Sequence, residues 1–262
     1  MTADRTCFNG VAERYASARP GYPAAVVARV EALAQGSGSE PRQILEVAPG
    51  TGQLTCDLAA RGHRVHALEL GAQLAEQARA ALAPWPGASV EVGNIETWSL
   101  AASSQPDLPP AFDLAVCAQA FHWIDPELAL PRIAEALRPG ACLALVWNLD
   151  RSQALPVYAA TTPIYERHQV GGVPLPKRAG GREAALRESE RFGEVEVWSY
   201  PHRVEYAVPA WLELVQTFST TLALPPEPRA AFLRDLEDAL SPFEVVERHY
   251  ETVVYSAERL PG

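Results

Sequence analysis

Positive charge is scarce in this 262-residue chain. It has 22 lysines and arginines against 32 aspartates and glutamates, a net charge of −10, and its basic residues are scattered without a run. An acidic chain repels phosphate backbones and anionic lipid surfaces, so neither nucleic acid nor membrane is an expected partner. Cysteine is scarcer still: Cys7, Cys56, Cys117 and Cys142 stand far apart, with no CxxC pair. Cys117 and Cys142 fall in strand-like apolar runs, so buried thiols in a reducing compartment, the cytoplasm, are expected rather than a disulfide framework. No apolar stretch approaches the ~20 residues of a membrane helix. The polar start MTADRTCFNG lacks the apolar segment of a signal peptide. Internal repeats and low-complexity tracts are missing. His63 and His66 share a strand without a third partner at ligand spacing, so no metal is expected. The absence of a GxSxG elbow or a Cys/His signature removes support for nucleophilic catalysis.

Hydrophobic residues make up 48% of the chain, enough for a sizeable core. Residues 22–35 read as a helix with Val26, Val30 and Leu33 on one face. From 43 to 148, strand and helix patterns alternate. Strands are expected at 43–48, 63–70, 88–93, 111–118 and 141–148, and helices after the turn at 49–52, over 71–82, and from Asp125–Pro126, with Pro131 opening a second helical stretch that "RPG" at 138–140 stops. Near-continuous apolar strands fit burial on both faces. The fold class is therefore α/β: a Rossmann-like, doubly wound, mainly parallel sheet with an antiparallel last strand and helical cap insertions. The expected organisation is N-terminal lid helices over 1–42, a nucleotide-binding core over 43–150, a helical cap insertion over 151–192, and final strands over 193–262 that enclose a second cap insertion at about 207–241. Ligands of such sheets bind beyond the carboxyl ends of the strands, so the strand tips are the places to look.

The first tip reads ILEVAPGTGQLT, residues 44–55. It is not a P-loop, because Gly52 is followed by Gln53 and Leu54 instead of Lys and Ser/Thr. Nor is it a dinucleotide fingerprint, because Thr55 stands where the third glycine would pack helix on strand. Pro49 has no N–H to offer an anion. The loop admits close approach but is poorly equipped for pyrophosphate. Acids stand at both neighbouring tips. Glu69, 17 residues past Gly52, is placed to accept both hydroxyls of a ribose. Glu46 suits a ligand with positive charge, although an acid beside a turn also accepts backbone N–H bonds. A nucleoside without phosphates but with cationic groups is S-adenosylmethionine (SAM).

At this point the sequence resembles the class I SAM-dependent methyltransferases, and more narrowly the bacterial small-molecule group related to the ubiquinone/menaquinone and trans-aconitate enzymes. The matching segments are YASARPGYP (15–23), ILEVAPGTGQLT (44–55), VHALEL (65–70), VGNIETWSL (92–100), AFDLAVCAQAFHWID (111–125) and LRPGACLALVWN (137–148), with WLELVQTFST as a cap segment. The resemblance implies roles position by position. Glu46, Ala48, Gly50 and Gly52 form the loop around the methionine and ribose of SAM. Glu69 binds the ribose diol and Leu70 the adenine face. Asn94 and Ile95 meet the adenine edge, and Ala118 and Gln119 lie near the methionine end. Tyr15 and Arg19 belong to a lid, with Arg19 a partner for the SAM carboxylate. Two positions depart from the family pattern. Ala48 replaces the first loop glycine, so either its backbone sits at negative φ or SAM affinity suffers. Asn94 replaces an aspartate, yet its carbonyl still accepts from the adenine amino group.

Methyl transfer is an in-line displacement in which the protein supplies alignment and a closed pocket. His122, at the mouth of the fourth strand, is the candidate base if the acceptor carries a proton, because imidazole titrates near neutral pH. It serves equally as a packing partner of Trp123. Tyr22, Trp123 and Trp147 are candidate acceptor-pocket walls, and His168 and Trp211 candidate cap contacts, each with a core role as its alternative. Cap aromatics including Tyr158, Tyr165, Phe218 and Phe232 favour an apolar or aromatic acceptor. The expected function is methyl transfer from SAM to a small organic acceptor, a specialised metabolite; the alternatives are a SAM-binding regulator or scaffold that does not methylate, and an NAD-type oxidoreductase. A nucleic-acid methyltransferase is disfavoured by the charge.

Overall fold

A computed structural model describes residues 10, 12, 14, 18–34, 41–103, 105, 107–171 and 179–261, with 179–182 described by their backbone alone. Pro23, which has no N–H to leave unbonded, precedes α1 (Ala24–Leu33), and Val26, Val27, Val30 and Leu33 form its buried face. The apolar runs form β1 (Gln43–Val47), β2 (Arg64–Glu69), β3 (Ala88–Val92), β4 (Phe112–Ala118) and β5 (Leu137–Asp150). Between them lie α2 (Gln53–Ala60), α3 (Ala72–Leu82) and α4 (Pro126–Ala136). The remainder supplies α5 (Pro156–Arg167), α6 (Ala179–Arg187), β6 (Glu196–Ala207), α7 (Val208–Gln216), the short α8 (Ser219–Leu222), α9 (Pro226–Leu240) and β7 (Val245–Glu258).

These strands form one seven-stranded sheet in the order β3-β2-β1-β4-β5-β7-β6. The first five are parallel, while β7 runs antiparallel to both β5 and β6. Strand order reverses between β1 and β4, so their carboxyl ends open a crevice there. Side-chain alternation divides the core. Ile44, Leu114, Val116 and Val146 pack with α1 and α2, whereas Leu45, Val47, Cys117 and Leu145 pack on the face with α4 and α6. α3 lies over β2 and β3 through Ala75, Ala78 and Leu82. A separate apolar cluster built from α5, α7, α9 and β7 forms a cap, with Trp211, Leu214, Phe232 and Leu236 at its centre.

Three local expectations change. Pro131 does not open a second helix but sits inside α4. Its missing N–H removes one helical bond, and burial of Ala129, Leu130, Ile133 and Ala134 outweighs that loss. α4 does end at Ala136, just before "RPG", but the segment is strand from its start: β5 begins at Leu137 and runs through Gly140, at φ 80°, to Asp150. Finally, the segment 209–222 is two helices. Phe218 adopts an extended conformation, and Thr217 turns its hydroxyl back to donate to the Leu214 carbonyl at 2.7 Å. Asp125 and Pro126 do start α4, with the Asp125 carboxylate accepting the Glu127 N–H at 3.0 Å.

Candidate cofactor site and acceptor chamber

At the tip of β1 the chain turns through a left-handed run. Ala48 has φ 54°, Gly50 63° and Gly52 91°. A Cβ at Gly52 would meet the Ala78 backbone of α3 at an ordinary 3.7 Å, so the positive φ rather than crowding favours glycine there. Its strained turn is tied to the neighbouring strand. Ala48 N–H donates to the Leu68 carbonyl at 2.9 Å. The Glu69 carboxylate accepts Gly50 N–H at 3.0 Å through Oε2 and Gly71 N–H at 2.8 Å through Oε1. One acid thus fixes two loops. Burial pushes its carboxyl above the ordinary range, and those amide bonds oppose the rise.

Glu46 has 1% of its surface exposed, and its Oε2 has no hydrogen-bond partner although the side chain faces the cavity. Burial pushes its carboxyl up to about 7; the neighbouring Thr55 hydroxyl, too poorly placed for a full hydrogen bond, opposes the rise, and the charges of Asp57 and Glu69 add to it. A buried acid with an open oxygen leaves room for a hydrogen-bond donor.

These groups line a cavity of about 300 Å³ at the crevice between β1 and β4. Its cofactor side also holds Leu70, Asn94, Ile95, Ala118 and Gln119. Asn94 Oδ1 accepts the Glu96 N–H at 3.0 Å, which orients the amide. Gln119, at φ 60°, is held by its N–H bond to the Val146 carbonyl at 2.8 Å. The far wall holds Tyr22, His122, Trp123 and Trp211. His122 and Trp123 stand on one 3-10 turn with ring centroids 5.2 Å apart. Arg19 reaches in from the N-terminal segment, donating to the Thr217 hydroxyl at 3.1 Å and carbonyl at 3.0 Å, with its guanidinium 5.1 Å from the Phe218 ring.

Two expected acceptor contacts do not reach the cavity. Trp147 is buried in the opposite face of the sheet, edge-on to Tyr255 at 5.7 Å. Alternation along β5 decides this: Asn148 and Asp150 face the cavity, so their neighbour Trp147 cannot. His168 caps α5 and bonds Asp235 of α9 at 2.8 Å, pinning two cap helices together. Gly52 acts through the turn without lining the cavity, and Tyr15 lies outside the described residues.

Other lining residues had no signal in the sequence. Asp150, Arg248 and Tyr250 meet because β5 and β7 pair antiparallel, with Asp150 opposite Tyr250. Asp150 and Arg248 form a buried ion pair, and the Arg248 guanidinium lies 4.5 Å from the Trp211 ring centroid. Ninety-eight residues separate Asp150 from Arg248, so no local pattern announces the pair.

Residues 45–143 match the family model described as a methyltransferase domain. That match lies within the parallel-stranded core and covers less than half of the chain. An uncharacterized methyltransferase of Mycobacterium tuberculosis is 35% identical over 141 residues, 54% of this chain and 51% of that protein. The chain thus spans about half the length of that methyltransferase. An uncharacterized methyltransferase of Schizosaccharomyces pombe is 25% identical over 264 residues, 98% of each chain. A tRNA 5-carboxymethoxyuridine methyltransferase of Escherichia coli is 30% identical over 111 residues, 42% of this chain and 41% of the enzyme. Among solved structures, one from Anaeromyxobacter dehalogenans, provisionally described as a type II methyltransferase, superposes with a TM-score of 0.67 at 24% identity, over 93% of this chain and 99% of that one.

Proposed function

We propose that this protein is a methyltransferase that moves the methyl group of SAM to a small organic acceptor, in the cytoplasm. The observation that carries the cofactor reading is the open, buried Glu46 oxygen at the crevice. Glu46 would receive the ammonium of the methionine part, while the turn Ala48–Gly52 gives close approach. Each Glu69 oxygen accepts one backbone N–H and keeps a second lone pair for a ribose hydroxyl. Leu70, Asn94 and Ile95 would hold adenine, and Ala118 and Gln119 the methionine end. Arg19 would meet the carboxylate, and its bonds to Thr217 would couple cofactor binding to the cap.

SAM supplies its own electrophilic methyl. The chain's work is to align the acceptor, exclude water with Trp123, Trp211 and Tyr22, and take the acceptor's proton where there is one. His122 is the base proposed for that step. A small acceptor suits a capped chamber in a chain of net charge −10, which would repel tRNA.

Calorimetric titration with SAM, S-adenosylhomocysteine and NADH tests the cofactor. Micromolar binding of the first two, weakened at least tenfold in Glu69→Ala, is expected. Tighter NADH binding would overturn the reading. SAM binding without S-adenosylhomocysteine release across a broad acceptor panel would favour a non-methylating regulator. For His122→Gln, kcat is expected to fall by about 10²-fold with SAM affinity unchanged. An unchanged kcat would remove His122 from the chemistry.

A further inference from the structure

Beneath the cap lies a second cavity of about 420 Å³. Trp211 and Arg248 line both cavities, so they form the partition between the second one and the methyl-transfer chamber. Two buried polar atoms on its wall have no hydrogen-bond partner: the Tyr165 hydroxyl, and the Nε of Arg248, whose guanidinium otherwise engages Asp150 and Tyr250. Arg248 is 2% exposed and Tyr165 6%. Leaving such donors empty costs about 1–3 kcal/mol each. The two threonine hydroxyls on the same wall are satisfied, since Thr161 and Thr162 donate to the carbonyls of Val157 and Tyr158, both at 2.8 Å. Among the buried side-chain atoms of the lining, Arg248 Nε and the Tyr165 hydroxyl are the ones that still call for an oxygen acceptor.

Charge decides what kind of oxygen. Asp150 already neutralises Arg248, and Glu166 lines the same cavity. A second carboxylate would be buried without a counter-charge of its own, which costs more than its hydrogen bonds return. A neutral carbonyl accepts the same two bonds without that penalty.

We propose that the second cavity is a subsite for the distal end of the methyl acceptor, and that it takes an uncharged carbonyl-type oxygen, as in an amide, ester or ketone, through Arg248 Nε and the Tyr165 hydroxyl. The assignment as an acceptor subsite rests on the methyltransferase reading. The ligand chemistry does not. An acceptor that fills both cavities is elongated, with its methylated end near Gln119 and His122 and its carbonyl end past Trp211.

Ligand-observed NMR titrations of the full chain test this, with benzamide, benzoate and toluene as probes, run with and without saturating S-adenosylhomocysteine. Benzamide should bind more tightly than either other probe. Tyr165→Phe should weaken benzamide by about fivefold and leave toluene unchanged. Because the Tyr165 hydroxyl is buried and unbonded in the free protein, that variant should melt no lower than the parent, which separates loss of the subsite from loss of the fold. Tightest binding by benzoate, equal binding of all three, insensitivity to Tyr165→Phe, or no benzamide binding would each overturn the proposal. Failure of S-adenosylhomocysteine to bind would instead remove the methyltransferase reading, and the probe ranking without it would still judge the pocket.

Discussion

Ala48 holds a φ of 54°, where an L-residue with a Cβ loses roughly 1–2 kcal/mol relative to the right-handed region. The sequence posed a choice between negative φ and weakened cofactor binding, and the structure takes the positive φ. Ala48→Gly is therefore expected to raise stability by up to about 1 kcal/mol, after subtracting the unfolded-chain entropy that glycine adds. Urea midpoints at constant m-value would measure it. SAM affinity should change less than about threefold, since the backbone already adopts the turn. Glu46 makes a second residue-scale prediction. Its carboxyl is raised from 4.5 to about 7 by burial. A raised acid binds its proton more tightly in the folded chain, so its contribution is complete below about pH 4.5 and is lost as pH climbs to about 7, on the order of 3 kcal/mol in all. Melting temperatures should fall across that window in the free protein, and Glu46→Gln should flatten the profile. The same proton must leave when a cation takes its place. SAM binding near pH 6 should release protons, detectable calorimetrically in buffers of different ionisation enthalpy, and Glu46→Gln should abolish the release.

At the scale of elements, the β-strands of the core were legible because each is a short apolar run between turn residues, and burial on both faces leaves little freedom. What a strand does at its tip was less legible. Trp147 and Asn148 are neighbours in sequence, but the pleat sends them to opposite faces. Only the face that carries α4 and α6 on one side and the cap on the other settles which of them meets the ligand. Trp147→Phe should cost about 1–3 kcal/mol of stability by leaving a void in the core, with acceptor KM and kcat unchanged. A shift in acceptor preference would mean that this tryptophan senses the chamber after all. The cap helices were legible as helices, but their breaks were not: Phe218 divides α7 from α8 because Thr217 satisfies a backbone carbonyl locally, a contest that periodicity does not reveal.

Across the whole molecule, the buried pair of Asp150 and Arg248 joins β5 to β7 at the wall of the chamber. Asp150→Asn should destabilise the chain by about 3–5 kcal/mol, because it leaves a buried guanidinium uncompensated. The double variant Asp150→Leu, Arg248→Met should recover most of that loss in a denaturation experiment. If the two single losses simply add, the pair is not coupled. The sequence by itself determined the alternation of strands and helices, the glycine turn and the acids at the first two tips, because these depend on neighbours within a few turns of chain. It also put Glu46, Glu69, Asn94 and Gln119 at or near strand tips, while their roles came only from the family resemblance. Tertiary structure alone decided which side chains close that crevice from the cap, how Arg248 and Asp150 meet, and that a second chamber opens behind Trp211. Those contacts join segments about 100 residues apart, and they follow from antiparallel register and helix packing, which no local spacing encodes.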